Sequence, residues 1–232
     1  MKLLFPALAL TLGTMGPAFA DSNSLQGTWA GQCIDGSITR LDIGETKLNF
    51  YVSVFQDMEC QSAEVLLESG TDQEYHKTDS MLFLPNINAH GNYRIESGEL
   101  YLKLMEEDEI QFNRAELDKG KMLTASFDGE PKLTTSSNHG NISVDLEFKV
   151  SKSSEESWID KSIVAEILCE QDSEDFSVID SATFEESGGN FSLSGILYST
   201  ETPYNCSLYL DFQFPHNDRY LPLDEMKLSI TD

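Results

Sequence analysis

Two of the four histidines lie near acidic side chains, and such pairs serve general acid–base catalysis. His76 stands in "EYHKTD" and His216 in "FPHND", each with an acid within two residues. Serines are abundant, so a Ser–His–Asp triad could form around either histidine in space. No motif singles out a nucleophile, because the chain lacks Gly-x-Ser-x-Gly, Ser-x-x-Lys, His-Glu-x-x-His and Gly-x-x-x-x-Gly-Lys. We therefore predict a protein that is not an enzyme, and keep a hydrolase as an alternative.

Two acidic runs have the carboxylates that Ca²⁺ prefers, but not the backbone turn that a calcium loop needs. They are "EEDE" (Glu106–Glu109) and "EQDSED" (Glu170–Asp175), and neither contains the glycine that usually makes the bend. A zinc site is disfavoured as well, since there is no Cys-x-x-Cys and no histidine is spaced to join a cysteine. We predict no metal site and no cofactor.

Four cysteines, Cys33, Cys60, Cys169 and Cys206, form an even set, which in an exported chain indicates two disulfides. Three connectivities are possible. The spacing favours the two local pairs, Cys33–Cys60 and Cys169–Cys206. Loops of this size contribute about 3–4 kcal/mol each in the chain-entropy model.

Residues 1–20, "MKLLFPALALTLGTMGPAFA", have the features of a secretory signal peptide. Lys2 is a minimal positive region, Leu3 to Leu12 are apolar, and Ala18-Phe19-Ala20 is a small-x-small cleavage site. The apolar run is too short for a spanning helix, which needs about 20 residues, and we expect no membrane insertion. The predicted location is periplasmic or extracellular.

The charge of the chain is strongly negative. Residues 21–232 carry 14 Lys or Arg against 40 Asp or Glu. Such a field repels nucleic acid and anionic membrane surfaces, and it attracts cations and basic proteins. We therefore exclude nucleic-acid binding, and take solubility as the simplest role of the charge.

Alternation of apolar and polar residues dominates the sequence and predicts an all-β protein, an antiparallel barrel or sandwich of 13 to 15 strands stabilised by disulfides. In "NCSLYLDFQF" the apolar positions are Cys206, Leu208, Leu210, Phe212 and Phe214. Within 155–168, β-branched residues favour a strand for the second half.

Three tyrosines fall on the polar face of alternating strands, namely Tyr51, Tyr101 and Tyr209. Sheet surface is the simplest interpretation. If Tyr51 and Tyr101 lay on adjacent strands, they would form a shallow platform for a sugar or a peptide.

The two cysteine pairs each bracket a predicted hairpin, which suggests two small β lobes. In this interpretation residues 21–130 form the first lobe, the polar stretch 131–141 is a linker, and residues 142–232 form the second lobe. A single domain spanning 21–232 is the alternative.

The stretch "LQGTWAGQC" contains Gly27-x-Trp29, which resembles the signature on the first strand of lipocalins and related calycin barrels. The resemblance implies that Gly27 and Trp29 are structural residues at the closed end of a barrel, below an apolar cup. The chain departs from the family where Ala30 follows the tryptophan. Arg94 and Arg114 are the candidates to pack over Trp29. The alternative is that Trp29 is an ordinary core residue of an N-terminal strand.

These observations predict an exported, acidic, all-β binding protein that holds a small apolar ligand in a calycin-like barrel. A first alternative is a β-sandwich whose acidic surface engages a basic protein, for instance as an inhibitor. The hydrolase is the second.

Overall fold

The computed structural model describes residues 24–105, 108–138, 141–170, 176–198 and 204–230. Apart from two single-turn helices and two short 3₁₀ turns, the regular structure in these ranges is β-strand, which confirms the all-β prediction. The signal peptide predicted for residues 1–20 lies outside the described ranges. Among the described residues, no helix is both long and apolar enough to cross a membrane.

The first half of the chain forms one nine-stranded antiparallel sheet. Its strands are β1 (Gly27–Ala30), β2 (Ser37–Ile43), β3 (Lys47–Phe55), β4 (Glu64–Glu74), β5 (His76–Lys77), β6 (Met81–Leu84), β7 (Ala89–Glu96), β8 (Glu99–Leu104) and β9 (Ile110–Arg114). The order across the sheet is β4-β3-β2-β1-β9-β8-β7-β6-β5. Because the first strand pairs with the ninth, the sheet curls into a nearly closed barrel with its gap between β4 and β5.

Alternating residues of this barrel point inward and form its own apolar core. The buried members are Leu25, Trp29, Leu41, Ile43, Leu48, Tyr75, Leu82, Leu84, Ala89, Leu100, Leu102 and Phe112. The outward residues between them are mostly polar, as expected for antiparallel strands with one face in water.

The second half builds two four-stranded sheets. Its elements are β10 (Ala125–Phe127), β11 (Lys132–Asn138), β12 (Asn141–Lys152), α1 (Ser157–Asp160), β13 (Ile163–Glu170), β14 (Phe176–Thr183), α2 (Phe184–Ser187), β15 (Asn190–Tyr198), β16 (Tyr204–Gln213) and β17 (Tyr220–Ile230). One sheet contains β12 with β10, β11 and β15, and the other has the order β14-β13-β16-β17. Buried side chains from both sheets form one core cluster, and β13 confirms the strand predicted for the second half of 155–168.

Strand β3 contributes to both cores. Leu48 on the inner face of β3 belongs to the barrel core, whereas Val52 and Val54 on the same face join the core of the second half. The pairing of β3 with β4 shifts register on either side of Phe50, which bends the strands between the two cores. The outer edge of β4 is partly covered, since Leu123 N–H donates to the Leu66 carbonyl at 2.8 Å.

The stretch 131–141, which we expected to be a linker, contains β11, and β11 pairs with β12 along seven residues. It lacks an apolar period because β11 is an edge strand with mostly exposed or half-buried side chains. The chain instead passes from the barrel to the second core between β9 and β10. Residues 139 and 140 lie outside the described ranges.

Both predicted disulfides are present. Cys33 is bonded to Cys60 across a separation of 27 residues, and Cys169 to Cys206 across 37. Cys169 and Cys206 are directly opposite on β13 and β16 and are fully buried. The other bridge is more accessible, and it joins the β1–β2 connection to the β3–β4 connection.

The two disulfides should therefore differ in their effect on stability. We expect the C33A/C60A double variant to lose about 3 kcal/mol of unfolding free energy, because of the unfolded-state entropy alone. The C169A/C206A variant should lose about 1–2 kcal/mol more, since it also leaves a cavity in the core. Guanidinium unfolding followed by far-UV circular dichroism measures both, and a smaller loss for C169A/C206A would contradict the ranking.

A charged network ties the barrel to the passage between the two cores. Arg40 on β2 pairs with Glu64 on β4 at 3.0 Å, and Lys121 pairs with the other oxygen of Glu64 at 3.1 Å. The buried hydroxyl of Ser53 donates to Glu64 at 2.6 Å, and Arg40 donates to the backbone carbonyl of Glu116. Three strands and the 115–124 segment thus meet at one carboxylate.

Burial of Glu64 opposes its ionisation, but the hydrogen bonds from Ser53 and Lys121 and the charges of Arg40 and Lys121 outweigh it and lower its pKa. Because the folded pKa is below the unfolded one, the carboxylate stabilises the fold above the unfolded pKa. This contribution is lost as the pH falls through the folded pKa.

We therefore expect Glu64→Gln to destabilise the protein by about 2 kcal/mol at pH 7, because two basic side chains lose their partner. The same variant should lose less stability than the wild type between about pH 5 and pH 3. Urea unfolding across this pH range measures both effects. Glu68→Gln, an exposed position on the same strand, is the control, and equal pH profiles for Glu64→Gln and the wild type would exclude the effect.

Candidate functional site

Trp29 closes one end of the barrel. Its side chain has no exposed surface, and its indole Nε1 donates to the Leu25 carbonyl at 2.8 Å. The guanidinium of Arg114, on β9, lies 3.8 Å from the centre of the indole ring. Arg114 also donates to the carbonyls of Ser24 and Gln26. Tryptophan, arginine and the entering chain therefore form a closed floor.

Of the two candidate arginines, Arg114 packs over Trp29 and Arg94 does not. Arg94 lies 4.0 Å from the ring centre of Tyr101 and pairs with Glu96 and Glu109 on the barrel surface. Partial burial lowers the pKa of Arg114, as expected for a cation removed from water.

Gly27 is required by the same contact. Its φ of +122° is a backbone conformation that side-chain-bearing residues rarely adopt. A Cβ at this position would also meet a guanidinium nitrogen of Arg114. The Gly27-x-Trp29 pair thus allows the arginine of the last barrel strand to reach the first.

Replacing Arg114 should weaken the barrel far more than replacing Arg94. We expect Arg114→Met to cost about 2–4 kcal/mol, because it removes charge-assisted hydrogen bonds and a cation–π contact. Arg94→Met should cost much less, since Arg94 and its partners are exposed. Urea unfolding is followed by tryptophan fluorescence in a Trp158→Phe background. Because Trp29 is then the only tryptophan, the signal reports on the barrel. Equal losses would remove Arg114 from this role.

Gly27→Ala provides an internal check on that result. Its cost should fall in the Arg114→Met background, because the clash disappears, but a cost of about 1–3 kcal/mol should persist from the strained φ. Simple additivity of the two substitutions would show that the clash does not operate.

Above the floor, the barrel contains an apolar cup of about 330 Å³. Its lining residues are Thr39, Leu41, Phe50, Leu102, Leu104, Asp108, Ile110 and Phe112. Leu41 pairs directly with Trp29, so the cup begins next to the tryptophan. From Arg114, β9 leads to Phe112 and then to Ile110, away from the floor, so the cup opens at the opposite end.

Small inward residues leave this space unfilled. Thr39 shares the inward face of β2 with Leu41, yet its side chain is exposed, because it faces the open cup. Gly31 lies beside it, against Phe112 and the Thr39 carbonyl. Phe50 and Leu104 are only half-buried at positions where a filled barrel would bury them completely. The cup therefore presents apolar surface that no side chain covers.

A second, more polar cleft of about 630 Å³ lies beside α1 and the β16–β17 connection. His216 lies in it together with Ser162 and Asp218. Its Nε2 lies 3.0 Å from the Gln56 carbonyl, and no hydrogen bond among the described residues links it to a serine or a carboxylate. His76, the other histidine near acids, is exposed on β5. Neither histidine forms an assembled catalytic pair within those ranges.

The described residues of the two acidic runs do not form a metal site. No group of three or more His, Cys, Asp or Glu positioned to hold a metal ion occurs in the part of the chain that the structure describes. Residues 106–107 of "EEDE" and 171–175 of "EQDSED" lie outside that part.

Two features of the site were missed or misplaced by sequence analysis. Tyr51, expected on the sheet surface, is buried, with the Lys119 ammonium 5.7 Å from its ring centre. It lies on β3 and Tyr101 on β8, which are not neighbours, so they form no joint platform. The cup wall on β8 and β9 was not recognised either. The alternation of Leu100, Leu102 and Leu104 could have indicated it.

No protein-family model, curated protein or solved structure matches the chain.

Proposed function

We propose that this protein is an exported carrier or binding protein that holds a small apolar molecule in the cup of its barrel. The observation that carries the proposal is the apolar cup of about 330 Å³ above the Trp29–Arg114 floor. The first and last barrel strands, β1 and β9, pair with each other. The Gly27-x-Trp29 motif lies on β1, and Arg114 on β9 covers the tryptophan ring. This combination supports a calycin-like relationship.

The size and chemistry of the cup support a small ligand. Ligand sites usually measure about 300–1,000 Å³ and are mostly apolar with few polar groups. The cup is at the lower end of that range, and Thr39 and Asp108 are its polar members. Transfer of apolar ligand surface from water into such a space supplies the binding free energy.

The covalent framework supports export. Two disulfides are typical of an oxidising compartment. Together with the signal-like residues 1–20, they support a periplasmic or extracellular location.

The test is titration with N-phenyl-1-naphthylamine, a small dye whose fluorescence rises in apolar surroundings. The wild type should bind it at one site. Thr39→Phe should reduce the affinity at least about tenfold, because the new ring occupies the cup. Thr134→Phe makes the same change on exposed β11 and should leave the affinity unchanged.

Circular dichroism and thermal unfolding establish that both variants fold. The proposal fails if the wild type does not bind the dye, or if the two variants bind it equally well.

A further inference from the structure

One carboxylate lies at the opening of the apolar cup. Asp108 is a lining residue with an exposed side chain, next to the apolar side chain of Ile110. Among the described residues it has no ion-pair partner, whereas the adjacent Glu109 is paired with Arg94. The charge of Asp108 is therefore available to a ligand in the cup.

The connections at the end of the barrel that surrounds this opening are acidic. The antiparallel meander places four connections there, 31–36, 56–63, 85–88 and 105–109. Their described acids are Asp35, Asp57, Glu59, Asp108 and Glu109, and these connections contain no lysine or arginine. The charged side chains of these four connections are therefore all acidic.

The nearest base on the cup wall points away from the cup. Lys103 alternates on β8 with Leu102 and Leu104, which line the cup, so its side chain is on the outer face. The side chain of Arg114 is at the opposite, closed end and donates to backbone carbonyls. Arg94 is near the opening, beside Glu109, but its guanidinium is paired with Glu96 and Glu109. Among the described lining residues of the cup there is thus no base to receive an anionic head group.

These features distinguish between the common kinds of amphiphile. A fatty acid would bring a carboxylate next to Asp108 and lose affinity through repulsion and desolvation. A protonated amine would retain its charge at the opening, pair with Asp108, and be attracted by the field of a chain whose net charge is −25. A single carboxylate offers too few oxygens for Ca²⁺, which takes six to eight.

We propose that the ligand is a hydrophobic amine, with its apolar body in the cup and its ammonium or amidinium group against Asp108. This inference rests on the proposed function, because it requires that the cup binds a ligand.

The experiment compares three molecules with the same alkyl chain, decylamine, decanol and decanoate, at concentrations below micelle formation. Isothermal titration calorimetry measures their affinities for the wild type, for Asp108→Asn and for Asp79→Asn. The last variant removes an exposed carboxylate from the β5–β6 turn, at the closed end of the barrel.

We expect decylamine to bind about fivefold more tightly than decanol, and decanoate to bind more weakly than both. In Asp108→Asn, decylamine and decanol should become about equal, whereas Asp79→Asn should behave like the wild type. Added salt should reduce the advantage of decylamine and leave decanol unaffected.

Equal binding of decylamine and decanol to the wild type would overturn the inference and leave the apolar cup intact. An amine preference that survives Asp108→Asn would overturn the assignment of Asp108. Failure of all three to bind would overturn the proposed function itself.

Discussion

The stack of Arg114 on Trp29 closes the barrel where the backbone pairing is short. Strands β1 and β9 pair through only two residue pairs, as few as the short β5–β6 hairpin and fewer than the other pairings of the sheet. The contact also joins two ends of the barrel that are distant in sequence, since Arg114 bonds to carbonyls 88 and 90 positions away. Closing such a loop is entropically costly, so the few contacts that close it must be strong. The cup depends on this contact between β1 and β9, because the contact keeps the barrel closed.

Because the barrel is closed at the Trp29–Arg114 end, its free volume is located at the other end. With Trp29 and Arg114 filling the floor, the free volume lies towards Thr39, Leu104 and Ile110. The bend of β3 limits the size of this free volume, because the inner face of β3 beyond Phe50 turns to the core of the second half. The second half thus shares a wall with the barrel, and the cup stays small. The network around Glu64 stabilises the same region from the outer side.

Local patterns in the sequence predicted what is local in the structure. Alternation identified the strands, and spacing identified both disulfides: Cys33–Cys60 brackets the β2–β3 hairpin, and Cys169–Cys206 joins the paired strands β13 and β16. Arg114 could not be chosen over Arg94, since which strand meets β1 is a long-range outcome. Edge strand β11 looked like a linker because neither of its faces is deeply buried. The cup was the least predictable feature, because its volume is a difference between barrel size and side-chain size.

Apolar and acidic side chains occur together around the opening of the cup. A barrel that leaves its cup open exposes apolar side chains around the opening, including Ile87, Met105 and Ile110. Exposed apolar surface of this kind promotes association between copies of a protein. The acids in the same connections make two such openings repel each other, while they attract a cation of small size. Under the proposed function, the same acids oppose association between copies and favour a cationic ligand in the cup.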